Sequence, residues 1–213
     1  MKKKNVIISL VLIAICIVYT IVVKEVNVSA IGPNESKVGI SCINDFFKDI
    51  IGVNKGFYTI TNFMDIVLVL IPAIYGVIGL GQLIKRKNLM KVDRELYVLA
   101  IFYSIVVLTY VLFEHITINY RPVLINGELD LSYPSSHTLA AICICGSSII
   151  INFRLFKDKG IFKYITLLST VSMFIIILGR LLSGYHWFTD IIGGILIAST
   201  LLYIFNSMLY KKN

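Results

Sequence analysis

The sequence predicts an all-α protein: a six-span transmembrane helical bundle with both termini cytoplasmic. Three observations predict it. Hydrophobic residues make up 57% of the chain and charged residues only 15%, where a soluble domain carries about 25% charged, and mean hydropathy is +0.85. Six apolar runs reach or approach the roughly 20 residues that cross hydrocarbon as a helix. Lysine and arginine are divided unevenly between the gaps: fourteen of the twenty fall in alternate gaps, which the positive-inside rule assigns to the cytoplasm.

The first run, Asn5 to Val23, follows the basic start Lys2 to Lys4. It is long for the apolar region of a signal peptide, so it reads as a retained span. The second extends from about Ile60 to Ile84, interrupted by Asp65 near its outer end. The third covers Leu96 to Phe113, the fourth Leu139 to Phe153, the fifth Tyr164 to Leu182 and the sixth Ile191 to Leu209. Pro134 to His137 can supply the first turn of the fourth. A chain of 213 residues so occupied has room for one integral membrane domain, 1–213.

The longest gap, 24–58, lies on the outer side. Within it Ile43, Phe46, Phe47, Ile50 and Ile51 recur at helical spacing, with Asn44, Asp45, Lys48 and Asp49 opposite. This is an amphipathic helix suited to the membrane interface. Docking against the bundle is the simpler expectation for it, and a gate for a lipid substrate the functional one. The net charge of +8 is explained by the cytoplasmic loops, and no soluble basic face interleaved with aromatics points to nucleic acid. Cys16, Cys143 and Cys145 fall in apolar runs and leave Cys42 without an evident disulfide partner. No zinc-type spacing occurs, and no metal or cofactor is expected.

The alternation of spans brings three polar clusters to the outer face. Ionisable groups beside hydrocarbon cost roughly 2.5–3.5 kcal/mol at mid-bilayer, so they are functional candidates. The first cluster holds Asn119, Arg121 and Pro122. Arginine offers a fork that matches two phosphate oxygens. The second is Pro134-Ser135-Ser136-His137, where Ser135 is a candidate N-cap. A helix start there presents backbone N–H groups to an anion, with His137 placed to protonate a leaving oxygen. The third holds Arg180, His186 and Asp190. If the sixth helix begins near His186, that histidine and Asp190 share a face. The carboxylate then takes one ring proton and leaves the other nitrogen as base or nucleophile. Singly, each cluster reads as a snorkelling arginine, a helix cap or a loop residue. Their order and spacing together change that.

The combined pattern resembles the type 2 phosphatidic acid phosphatase superfamily, which shares its catalytic core with vanadium haloperoxidases. The family's motifs are Lys, six residues, Arg-Pro; then Pro-Ser-Gly-His; then Ser-Arg, five residues, His, three residues, Asp. Here they read Glu114, six residues, Arg121-Pro122; Pro134-Ser135-Ser136-His137; and Gly179-Arg180, five residues, His186, three residues, Asp190, a motif core of 114–190. The resemblance implies that His186 is the nucleophile and forms a phosphohistidine. Asp190 orients it, His137 is the general acid, and Arg121, Arg180 and the Ser135 region hold the phosphoryl oxygens. It implies no metal. Three positions depart from the pattern. Glu114 replaces the lysine and would repel phosphate unless it turns away or pairs with an arginine. Ser136 replaces glycine, and Gly179 replaces serine.

The expected activity is hydrolysis of a lipid phosphate or diphosphate at the outer leaflet of a bacterial plasma membrane, with a bell-shaped pH profile. Bacterial relatives of this size favour undecaprenyl diphosphate, recycling the carrier for wall synthesis. Phosphatidic acid and phosphatidylglycerol phosphate are the alternatives. Transfer of the phosphoryl group to another lipid, or a non-catalytic lipid-binding protein with a degenerate site, are the rival readings, and Glu114 favours the last.

Overall fold

The computed structural model describes residues 2–157 and 160–210. Lys159, Lys211 and Lys212, which enter the charge count above, lie outside the described residues. The chain folds as eight α-helices among them: α1 (Lys3–Glu25), α2 (Ser41–Ile51), α3 (Lys55–Phe63), α4 (Asp65–Arg86), α5 (Arg94–Glu114), α6 (Ser136–Leu155), α7 (Gly160–Ser183) and α8 (Phe188–Leu209). Six membrane spans result, with α3 and α4 forming one of them, Lys55–Arg86. The expected spans are all present. The second starts earlier than its apolar run because the Asn54 side chain caps α3, accepting from the N–H groups of Gly56 and Phe57.

Burial separates the helices by role. The apolar side chains of α1 face outward almost all round, as in Leu10, Ile17 and Val18. Its inner contacts are polar: Cys16 Sγ lies 3.2 Å from Thr200 Oγ1, and Thr20 Oγ1 lies 2.8 Å from the Tyr133 hydroxyl. By contrast α6 is the centre of the bundle. Ala141, Cys143, Cys145, Ser147 and Ser148 on it are fully buried, and their small side chains let α7 and α8 approach closely. A Cβ on Gly146 would come within 2.6 Å of Leu202 on α8. All four cysteines are free thiols.

The amphipathic helix α2 docks against the bundle, and its polar edge makes the buried hydrogen bonds. Asn44 is buried; its amide donates to the Gly39 carbonyl at 2.9 Å and to Thr189 Oγ1 at 3.0 Å, while its carbonyl accepts from the Thr189 N–H at 3.1 Å. Phe47 stacks on Phe188 with ring centroids 4.0 Å apart. Ile43, Phe46 and Ile50 point away from the protein. The apolar face is therefore left exposed, and the buried polar side is satisfied by Gly39 and the first turn of α8.

Candidate active site

The loop between α5 and α6 is pinned over one end of the bundle, at the C-terminus of α5 and the start of α6. Tyr120 and Leu131 bridge across it, the Arg121 N–H donates to the Asp130 carbonyl, and the Ser132 N–H donates to the Asn119 carbonyl. Asn119 is buried and ties three segments together. Its side-chain carbonyl accepts from the Gly39 N–H at 3.3 Å, and its amide donates to Asp190 Oδ1 at 3.4 Å. Trp187, 1% exposed, is anchored by its indole N–H, which donates to the Tyr120 carbonyl at 2.6 Å.

Under this loop lies a cavity of about 470 Å³. Of the sequence-predicted residues, Glu114, Arg121, Pro134, Ser136, His137 and His186 line it. Asp190, Ser135 and Arg180 are buried and are not among its lining residues. The structure thus gathers residues from all three motifs around one space, at the C-terminal end of α5 and the starts of α6 and α8.

His186 does not lie on α8, which begins two residues later at Phe188. Its Nδ1 is 3.0 Å from the Ser132 carbonyl and 3.8 Å from Asp190 Oδ2. The first distance is a hydrogen bond and the second is too long for one. The expected His186–Asp190 hydrogen bond is therefore corrected: a main-chain carbonyl takes the ring proton. Asp190 instead accepts from the Trp187 N–H at 2.9 Å, as the third residue of α8 reaching back to its cap. It steadies the turn that carries His186. With Nδ1 as donor, Nε2 keeps its lone pair and accepts from Arg121 Nη1 at 2.8 Å. Burial, together with the nearby charges of Arg121 and Arg180, holds the His186 pKa well below the usual 6.5. The ring is neutral at neutral pH, so it forms no ion pair with Asp190.

Arg121 is held by Asp130, whose carboxylate accepts from Nε at 2.7 Å; Nη1 also reaches the Tyr185 carbonyl at 3.3 Å. Glu114 lines the cavity, but the carboxylate that pairs with this arginine is Asp130. Arg180, in the last turn of α7, donates to the side-chain carbonyl of Asn62 and lies over the Tyr58 ring, 5.0 Å from its centroid. Tyr58 stacks in turn on Tyr185 at 3.9 Å. Ser135 occupies the N-cap position of α6 without capping through its hydroxyl. Its main-chain N–H donates to the Asp190 carbonyl at 3.0 Å. Among the described residues, Ser135 Oγ and Arg180 Nε are buried without a hydrogen-bond partner. Such groups are rare because each carries a desolvation cost of about 1–3 kcal/mol. Two donors in that condition beside an arginine and two histidines suit an oxyanion.

Two supporting residues escape a local reading of the sequence. The Ser132 carbonyl, a main-chain atom, carries no side-chain signature. Asp65, at the α3–α4 junction, reaches His137: its carboxylate oxygens lie 3.2 Å from Nε2. The one signal available was a carboxylate inside an apolar run, which is costly without a partner.

A sequence model of the PAP2 superfamily matches residues 97–213. Comparison with curated proteins gave no match. Among solved structures the chain is similar to the first transmembrane PAP2 type phosphatidylglycerolphosphate phosphatase from Bacillus subtilis. The TM-score is 0.56 at 19% identity, over 96% of this chain and 98% of that one. At this identity the likeness speaks for the fold.

Proposed function

The chain belongs to the PAP2 superfamily, and from that premise we propose that this membrane phosphatase hydrolyses a lipid phosphate or diphosphate through a phosphohistidine at His186, with 1–213 acting as one domain. Undecaprenyl diphosphate is the favoured substrate. Phosphatidylglycerol phosphate, the substrate class in the name of the Bacillus subtilis neighbour, and phosphatidic acid are the alternatives. The site works from the outer leaflet and needs no added metal.

The observation that carries the reading is the orientation of one imidazole. His186 donates Nδ1–H to the Ser132 carbonyl and turns Nε2 to the cavity, against Arg121. Arg121 occupies the Nε2 lone pair; an entering phosphoryl group draws the guanidinium onto its own oxygens and frees the nitrogen. Nε2 then attacks phosphorus. The N–P bond forms, the P–O bond to the leaving group breaks, and His137 gives that oxygen its proton. Arg121, Arg180 and Ser135, with the α6 start at Ser136, hold the charge that develops on the phosphoryl oxygens. In the second step water attacks the phosphohistidine, His137 takes the proton of the water, and phosphate leaves with Nε2 restored. Asp190 holds the Trp187 main chain and thereby the His186 turn. Glu114 acts at the cavity rim on substrate affinity.

The test is phosphate release from undecaprenyl diphosphate, phosphatidic acid and phosphatidylglycerol phosphate by the purified protein in the presence of a chelator. Wild type is expected to turn over at least one, and His186→Ala to fall to background. Retained activity in that variant would remove His186 as the nucleophile. Product analysis separates hydrolysis from transfer, because transfer leaves the phosphate organic.

A further inference from the structure

The carboxylate at the break in the second span faces the other histidine of the site. Asp65 opens α4, one residue after α3 ends at Phe63 and the intervening Met64. Its side chain is about half exposed, and both oxygens stand 3.2 Å from His137 Nε2. His137 lies in the first turn of α6 with Nδ1 3.4 Å from Ser136 Oγ, and both of these residues line the cavity. Nε2 is thus taken up by the second span, and Nδ1, on the side of Ser136, is the nitrogen left for the space that both residues line.

We propose that Asp65 is the positioning residue of the general acid: it accepts Nε2–H, fixes the ring plane and makes Nδ1 the nitrogen that exchanges protons with the leaving oxygen. The inference rests on the phosphohistidine reading above. The charged groups around the ring divide by sign. Arg180 from α7 and Arg121 from the α5–α6 loop bear on it with positive charge, and Asp65 with negative charge. Asp65 offsets the two guanidinium charges beside the ring, and an entering phosphoryl dianion supplies the further negative charge that holds the imidazolium until P–O cleavage.

The proton inventory closes. Before attack His137 carries two protons, Nε2–H held by Asp65 and Nδ1–H facing the cavity. As the P–O bond breaks, the Nδ1 proton passes to the leaving oxygen, and the ring becomes neutral in the tautomer that Asp65 already holds. Nδ1 then has the lone pair needed to take a proton from the hydrolytic water. Asp65 stays a carboxylate throughout and exchanges no proton with the substrate or the hydrolytic water. Its effect is on how often the ring is correctly turned and charged.

The same geometry separates Asp65 from the arginines in experiment. A general acid matters when the leaving group is a poor one, and loses importance when the leaving oxygen needs no proton. The measurement is kcat/KM, which reports steps up to P–O cleavage, for two phosphomonoesters in detergent: phosphatidic acid, whose leaving group is an alcohol, and 4-nitrophenyl phosphate, whose leaving group departs as a phenolate. Asp65→Asn is expected to lose roughly tenfold to a hundredfold on phosphatidic acid, inside the range general acid catalysis contributes, and to stay within about threefold of wild type on 4-nitrophenyl phosphate. Asp65→Glu, which restores a carboxylate, should recover part of the loss. Activity on the aryl ester in the same preparation shows that the variant is folded. Equal loss on both esters, or loss on neither, overturns the inference while the phosphohistidine reading stands. If His186→Ala retains activity, or wild type is inert on both esters, the parent reading falls and takes the inference with it.

Discussion

At the scale of single residues, the site is governed by which group takes each ring proton. The i,i+4 spacing of His186 and Asp190 suggested that the carboxylate does. The chain places His186 ahead of the helix, however, and a loop carbonyl comes closer. This has a consequence for pH. Burial lowers the His186 pKa below 6.5, so the neutral, attacking form persists as pH falls through that value and is lost only below it. The acid limb of kcat/KM, which reports the free enzyme, is expected below pH 6.5. A limb centred at or above 7 would contradict the buried, neutral imidazole. Glu114 is the other residue whose meaning depends on place. It lines the cavity, so Glu114→Lys is expected to change KM for anionic lipids by about tenfold, the effect of roughly 1.4 kcal/mol, with kcat kept within a few-fold. Complete loss of turnover would make Glu114 essential. The candidate residues were legible because motif spacing is a local property. Asp65 was not, because its partner lies 72 positions away and only the packing of α4 against α6 joins them.

At the scale of elements, apolar length alone found the spans, because lipid forces every backbone polar group to be satisfied within its own helix. Their polar ends were less legible. The second span begins within the gap 24–58, where an asparagine cap rather than hydropathy decides. The periodicity of α2 was plain, yet which face turns inward was set by Asn44 finding partners on Gly39 and Thr189. The α7–α8 turn carries His186 and has a strict backbone requirement. Gly184 has φ +69°, and a Cβ there would sit 1.9 Å from the Gly52 carbonyl oxygen. Gly184→Ala combines the left-handed penalty of roughly 1–2 kcal/mol with overpacking of about 1–3 kcal/mol. It should lower the unfolding midpoint in detergent and also reduce activity, since His186 follows two residues later. Gly76→Ala in α4, where an added Cβ meets no atom within 4 Å, is the matched control and should leave both unchanged or slightly improved. A midpoint for Gly184→Ala equal to wild type would show that the turn yields without cost.

At the scale of the whole molecule, the claim to test is sidedness. The positive-inside count predicts both termini in the cytoplasm and the site outside. The fold supplies a reporter that shares the fate of the site. Cys42 is exposed at the start of α2, and Asn44, two residues on, is hydrogen-bonded to Thr189 in the first turn of α8. Cys42 and His186 therefore occupy the same end of the bundle whichever way it is inserted. The other thiols do not compete: Cys143 and Cys145 are buried, and Cys16 lies in α1 against Thr200. A membrane-impermeant maleimide applied to intact cells should label the protein, and Cys42→Ala should abolish the label. Labelling only after permeabilisation would put Cys42, and with it the histidines, on the cytoplasmic side. The lysine-rich gaps would then be extracellular, and a lipid phosphate presented in the outer leaflet could not be the substrate, even if the phosphohistidine chemistry survived intact.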